Sequence, residues 1–489
     1  MRKYFSTASL VVLALLGLTS KVTEAARMQD FVWGLPDIDS LNADWYSGYL
    51  DASATKHLHY VFVTSLTDPI NDPVVLWFNG GPGCSSLLAL FQEHGPYVID
   101  DGEYYIKTNP EPWNKRANIL YLESPAGVGF SVAELISDYQ HNDMSQSKDA
   151  LAALLNWYKG FPEYLRNDLY IAGESYGGIY TPYLAWQIHQ HNQLIKVKKA
   201  KTKLNLKGYI VGNGATNWEV DISPSFPEVM YNFNLIPKSL LDTYNDNDCI
   251  NYFNDLKPPS PSQVCEDAWN QINDLWDGLN WYDLFRQVVP DSGLLKQSAT
   301  KAERTRTVKV GEEIKTYTAG YTYEEYAPWI AKGVPKKVLQ NSAHPLLGDY
   351  LADYANRVDV RHALNIPDHV QAWLECNDTI NENYSYQYEG SFWIYKIMKQ
   401  YGYKILFYSG DTDGAVPTYG TRRWISLLNW PVKKAWTPWF TDDQVSGYFI
   451  SYEGMDFATI HGVGHMAPQW KRKDVTKLFT NWIHNLPIQ

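Results

Sequence analysis

Apolar residues follow two rhythms along this chain. The stretch "HLHYVFVTS" (57–65) alternates apolar and polar positions, the two-residue period of a half-buried strand. "PVVLWF" (73–78) is continuously apolar, β-branched and aromatic, the pattern of a strand covered on both faces. Strand patterns recur at 119–123, at 169–172, and in "LNLKGYIVG", "YKILFYSG" and "FATI". Segments with helical spacing lie between them, such as "DALAALLNWYKGF" and "GGIYTPYLAWQIHQH". Strands alternating with helices predict an α/β fold, a mostly parallel central sheet with helices on both faces.

The rhythm stops between about 217 and 344. That region holds a proline-rich cysteine loop, the tryptophan-rich "DAWNQINDLWDGLNWYDLF" and the basic "KQSATKAERTRTVKVGEEIKT". The expectation is a largely helical insertion over 217–344 that caps the active edge of the sheet. It interrupts a catalytic α/β domain made of 26–216 and 345–489. The basic stretch has few apolar residues and is expected to form an exposed loop.

The N-terminus has the build of a secretory leader. Arg2 and Lys3 precede the apolar run "LVVLALLGL", and "TEA" places small residues before a cut after Ala25. Residues 1–25 are therefore expected to be a signal peptide, too short to span a bilayer. No later run reaches about 18 apolar residues, so no membrane span is expected. The 489 residues suffice for a large core, and 20% charged with 15% aromatic residues is a globular composition. A net charge of −12 argues against a nucleic-acid partner, which asks for a basic face. Monomer and homodimer are both compatible with the sequence.

Secretion favours disulfides. Cys249 and Cys265 close a short loop across "KPPSPS" and are paired on that ground, which leaves Cys84 for Cys376. Asn377 in "NDT" and Asn383 in "NYS" are glycosylation sequons, and each must be at the surface if used.

Chemistry concentrates in "GESYG" (173–177), a G-x-S-x-G between a strand and a helix pattern. In that context the serine sits on a sharp turn, lifted above the sheet edge at the start of the helix, and Ser175 is the candidate nucleophile. A serine hydroxyl needs a base. Downstream, "SGDTDGAVP" supplies Asp411 and Asp413, and "HGVGHMAP" supplies His461 and His465, each after a strand. The order Ser, Asp, His is that of an α/β-hydrolase triad, but spacing does not choose between the two aspartates or the two histidines. "WFNGGPGCSSL" (77–87) ends a buried strand in a glycine-rich loop. Such a loop provides one oxyanion N–H, with Gly80 and Gly81 as candidates, and the residue after the nucleophile, Tyr176, provides the other.

Together, "WFNGGPGCSSL", "ESPAGVGFS", "GESYGGIYTPYLA", "VGNGATN", "GDTDGAVP" and "GHMAP" resemble the serine carboxypeptidase family of α/β-hydrolases, from about Asp44 to the C-terminus. The resemblance implies a Ser175–Asp413–His465 triad, with oxyanion donors at Gly81 and Tyr176. It implies that Asn79, Gly80, Glu93 and Glu174 bind the free carboxylate of a peptide's C-terminus, and it matches the Cys84–Cys376 bridge. Two adjacent glutamates cannot both ionise cheaply, so Glu93 and Glu174 are expected to share a proton and donate it to that carboxylate. The expected activity is acid-pH release of C-terminal residues from peptides and proteins, in the lysosome or vacuole or outside the cell. No metal or organic cofactor is expected. An acyltransferase or esterase with the same triad, and a non-catalytic binding protein on the same scaffold, are the alternatives.

Overall fold

The computed structural model describes residues 28–101, 103, 105–254, 259–276, 278–286, 305–310, 313–318 and 350–488. The leader expected over 1–25 and the insertion boundary expected at 344/345 lie outside the described residues.

An 11-stranded sheet organises the chain. Its long strands are β1 Trp45–Asp51, β2 Lys56–Val63, β3 Val74–Phe78, β4 Asn118–Leu122 and β5 Leu169–Glu174. They continue as β6 Leu206–Gly212, β7 Lys404–Gly410, β8 Val432–Thr441, β9 Gln444–Tyr452 and β10 Met455–Ile460. Their spatial order is β1-β2-β4-β3-β5-β6-β7-β10-β9-β8. The six central strands, β4 to β10 in that order, pair in parallel, and the pairs at both ends are antiparallel.

Side chains leave β3 alternately for two cores. Val75 and Trp77 join one apolar cluster, and Val74, Leu76 and Phe78 join the other. Helix Arg472–Ile483 covers the first face with Leu478, Phe479 and Trp482. Helices Asp143–Gly160 and Gly177–Lys196 cover the second with Leu154, Trp157, Ile179 and Leu184. Both faces are thus dry, which is what the unbroken apolar run of β3 requires.

Between β6 and β7, helices Phe226–Asn232, Lys238–Asp246 and Gln263–Trp276 build a third, separate apolar cluster around Cys249 and Cys265, which are bonded to each other. The basic stretch corrects its expectation. It carries two antiparallel strands, Thr305–Val310 and Glu313–Thr318, rather than a loop. "TRTVKV" and "EIKTYT" alternate β-branched residues with charges, and that alternation outweighs the low apolar content. The β8–β9 hairpin also escaped the sequence pattern. Its turn is Asp442–Asp443, both at positive φ (50° and 60°), as a two-residue hairpin turn demands. Among the described residues no helix is long and apolar enough to cross a membrane.

Candidate active site

β5 ends at Glu174 and the next helix begins at Gly177, so two residues make the turn. Ser175 takes φ 60°, a left-handed conformation uncommon for a residue with a side chain. The turn is held by its backbone. Ser175 N donates to Gly212 O (3.1 Å), and Ser175 O accepts from Gly178 N (2.9 Å) and Ala215 N (3.0 Å). Gly173 is required because a Cβ there would fall 2.7 Å from Phe78 O on the neighbouring strand. A strained residue fixed by surrounding structure between a strand and a helix is the backbone geometry of a nucleophile elbow.

Two Asp–His pairs follow β7 and β10. His465 Nδ1 lies 2.8 Å from Asp413 Oδ2, and His461 Nδ1 lies 2.8 Å from Asp411 Oδ2. Their surroundings separate them. The Asp413 and His465 side chains are 0% and 3% exposed, against 31% and 63% for Asp411 and His461. Asp413 Oδ2 also accepts from Asn213 Nδ2 (2.8 Å), and Oδ1 accepts from Ala415 N (2.7 Å) and Val416 N (3.1 Å). Four donors fix the orientation of the carboxylate. With Nδ1 turned to the carboxylate, Nε2 is the ring nitrogen left to face a substrate. Asn213 directly follows Gly212, whose carbonyl holds the Ser175 amide, so β6 joins the pair to the elbow. Among the described residues the hydrogen-bonded chain Asn213–Asp413–His465 does not extend to the Ser175 hydroxyl. Serine–histidine contacts of this kind commonly tighten only in the Michaelis complex.

The glycine loop lies against the elbow. A Cβ on Gly80 would fall 2.4 Å from Tyr176 N and 2.6 Å from Ser175 Cβ. Neither Gly81 N nor Tyr176 N donates to another group among the described residues. The Tyr176 phenol is anchored separately, donating to Asp143 Oδ1 (2.8 Å), and burial pushes the Asp143 carboxyl up to about 6. Cys84 is bonded to Cys376, and Ser85 N→Glu375 O (2.8 Å) and Asn377 N→Gly83 O (2.9 Å) stitch the loop on either side of the bridge.

Those contacts correct one expectation. Asn377 is 2% exposed; its Nδ2 donates to Gly127 O (3.0 Å) and its Oδ1 caps helix Asp378–Glu382. Asn377 is therefore not the surface site its sequon suggests, whereas Asn383 is exposed.

Glu93 and Glu174 meet beside the same loop. Glu93 comes from a single π-helical turn, Ala89–Glu93, all of it buried. Asn79 Nδ2 donates to Glu93 Oε1 (2.8 Å) and to Glu174 Oε1 (3.0 Å). Asn79 Oδ1 accepts from Trp77 Nε1 (2.9 Å), which fixes the orientation of the amide. The other oxygens, Glu93 Oε2 and Glu174 Oε2, are buried without a donor. A carboxyl–carboxyl hydrogen bond satisfies them only when one group is protonated. Burial raises both pKa values, and the negative charge of Glu93 raises Glu174 further.

A family model described as serine carboxypeptidase matches residues 36–485. The chain belongs to the serine carboxypeptidase family. It is 33% identical to serine carboxypeptidase 1 of Hordeum vulgare, over 92% of each chain. It is also 33% identical to serine carboxypeptidase-like 32 of Arabidopsis thaliana, over 94% of this chain and 93% of that one. The prohormone-processing carboxypeptidase Kex1Δp of Saccharomyces cerevisiae superposes with a TM-score of 0.69 at 19% identity, over 94% of this chain and 96% of that one, which shows a shared fold. The fold is the α/β-hydrolase fold, and the protein is a hydrolase of the serine carboxypeptidase type.

Two parts of this carboxypeptidase site had no assignment in the sequence. Asn213 sits in "VGNGATN", a strand-to-loop pattern that named no partner for it. Tyr282, between β6 and β7, places its ring 4.9 Å from that of His465 at 83°. Among the described residues no group of histidines, cysteines and carboxylates could hold a metal ion.

Proposed function

We propose that this carboxypeptidase removes the C-terminal residue of peptides and proteins at acid pH through an acyl-enzyme on Ser175. Ser175 Oγ attacks the carbonyl of the last peptide bond while His465 Nε2 takes its proton. The oxyanion that forms accepts from Gly81 N and Tyr176 N. The carbon–nitrogen bond then breaks, and the proton on His465 goes to the departing amino group. Water, deprotonated by His465, cleaves the Ser175 ester and restores the hydroxyl. Asp413 holds the imidazole and stabilises its cation.

One observation carries the choice of an exopeptidase. Asn79 bonds both buried glutamates, and the next residue, Gly80, abuts the nucleophile's turn. A donor set for a carboxylate is thereby fixed within one residue of the reacting centre. Gly80 N and Asn79 Nδ2 receive the substrate carboxylate, and the proton shared by Glu93 and Glu174 supplies a further hydrogen bond. A peptide whose chain continues past that point has no carboxylate to offer these donors.

The leader pattern supports a route through the secretory pathway, and the proton needed by the glutamate pair suits a lysosome, vacuole or acidic extracellular space. The test of the mechanism is covalent labelling. An organophosphate should modify Ser175 stoichiometrically and abolish hydrolysis of a blocked dipeptide. Full hydrolysis by Ser175→Ala would sink the assignment.

A further inference from the structure

Residues 281–284 of the insertion lie across both loops that carry Asp413 and His465. Gly414 N donates to Trp281 O (3.0 Å), and His465 N donates to Tyr282 O (2.6 Å). Leu284 N donates to Thr412 O (3.0 Å), and Thr412 Oγ1 donates to Asp283 Oδ1 (2.7 Å). The approach is close enough to demand glycine on the loops. A Cβ on Gly464 would fall 2.0 Å from Tyr282 O, and one on Gly414 would fall 2.7 Å from Trp281 O. The insertion therefore touches the residue before the base, the base itself, and both neighbours of the acid.

Arg286, two residues further on, fastens this segment to the scaffold. Its Nη2 donates to Asp101 Oδ2 (2.8 Å), and its guanidinium lies 4.4 Å from the ring centroid of Trp470. Asp101 also accepts from Gln469 Nε2 (2.6 Å) and Trp470 Nε1 (2.9 Å). One carboxylate thus joins three parts of the chain: the insertion, the loop after strand Tyr97–Val98, and the turn that follows His465. Asp101 is largely buried while Arg286 is half exposed.

We infer that Asp101 and Arg286 are positioning residues of the hydrolytic reaction. They latch 281–286 onto the scaffold so that its backbone carbonyls hold the acid and base loops in register. Neither side chain is part of the proposed machinery; each acts through the loops. Misplacing a catalytic group by an ångström costs orders of magnitude in rate, so a loosened latch lowers turnover before it alters binding. The inference rests on the triad reading above.

The experiment measures kcat and KM of the full-length enzyme on a blocked dipeptide, per Ser175 site titrated with an organophosphate. Arg286→Gln and Asp101→Asn should each lower kcat about tenfold with KM changed less than about twofold. Arg286→Lys should recover most of the loss, since it restores the ion pair. Lys56→Gln removes a comparable ion pair, Lys56–Asp149 at 2.7 Å, far from the insertion, and should leave both constants unchanged. Unchanged kcat in Arg286→Gln and Asp101→Asn with sites still labelled overturns the latch alone. A rise in KM at constant kcat also overturns it, because the residues would then bind substrate directly. A wild type unlabelled at Ser175 overturns the triad reading and the latch with it.

Discussion

Gly80 and Tyr176 are held so close that a Cβ on Gly80 would lie 2.4 Å from the Tyr176 amide nitrogen. The contact joins the loop proposed to receive the substrate's carboxylate to the turn proposed to present the nucleophile. Gly80→Ala must displace one of them. The expected result is a folded protein with kcat/KM reduced about 10²- to 10³-fold, the scale of losing an oxyanion donor. Gly34→Ala, where nothing lies within 4 Å, should leave activity unchanged. Steady-state kinetics on one blocked dipeptide compares the two.

The two Asp–His pairs make a second test. Asp413→Asn should cost about four orders of magnitude in kcat, because an amide partner favours the wrong imidazole tautomer. Asp411→Asn should stay within about threefold, since its pair is largely exposed and, among the described residues, its carboxylate bonds only His461 and Gly462. Asn213→Ala should fall between them by freeing the Asp413 carboxylate. The reverse ranking of the aspartates would move the acid to Asp411.

The buried glutamate pair predicts a pH signature. Both carboxyls are raised, so the pair holds a proton above the ordinary glutamate range of about 4.3 and loses it as pH rises. The peptide KM should climb with that loss, because the carboxylate site becomes a repulsive anion. The stability effect has the same sign. A raised folded pKa contributes stability in full below the unfolded value, and the contribution fades as pH rises through the folded one. The Glu93→Gln/Glu174→Gln double variant should therefore have a peptide KM that is flat with pH. Its Tm should fall less than wild type between acid and neutral pH. A KM profile parallel to wild type would show that the pair does not read the substrate carboxylate.

Glycopeptide mapping gives a fourth test. A glycan should be found on Asn383 and none on Asn377, whose amide is engaged with Gly127 and the start of a helix. Occupancy of Asn377 would contradict the loop packing around Cys84–Cys376.

The elbow was legible in the sequence because its constraints are local. Ser175 at positive φ and Gly173 against Phe78 O are demands that a five-residue motif can record. The choice between the aspartates was not legible from spacing, since both pairs follow strands in the same way. It depends on burial and on Asn213, some 200 residues away. The contacts of 281–284 were invisible for another reason. Three of the four use backbone carbonyls or amides, which any residue provides. The hairpin in the basic stretch was missed because lysines and arginines obscured a regular alternation, and Asn377 was misread because a sequon does not record what else the asparagine bonds.

The most direct test of the central claim is product analysis by mass spectrometry on one N-blocked peptide prepared twice, with a free and with an amidated C-terminus. The account predicts stepwise loss of single residues from the free acid at acid pH, little or none from the amide, and none from either with Ser175→Ala. Internal cleavage, equal rates on the two peptides, or acyl transfer without amino-acid release would contradict it.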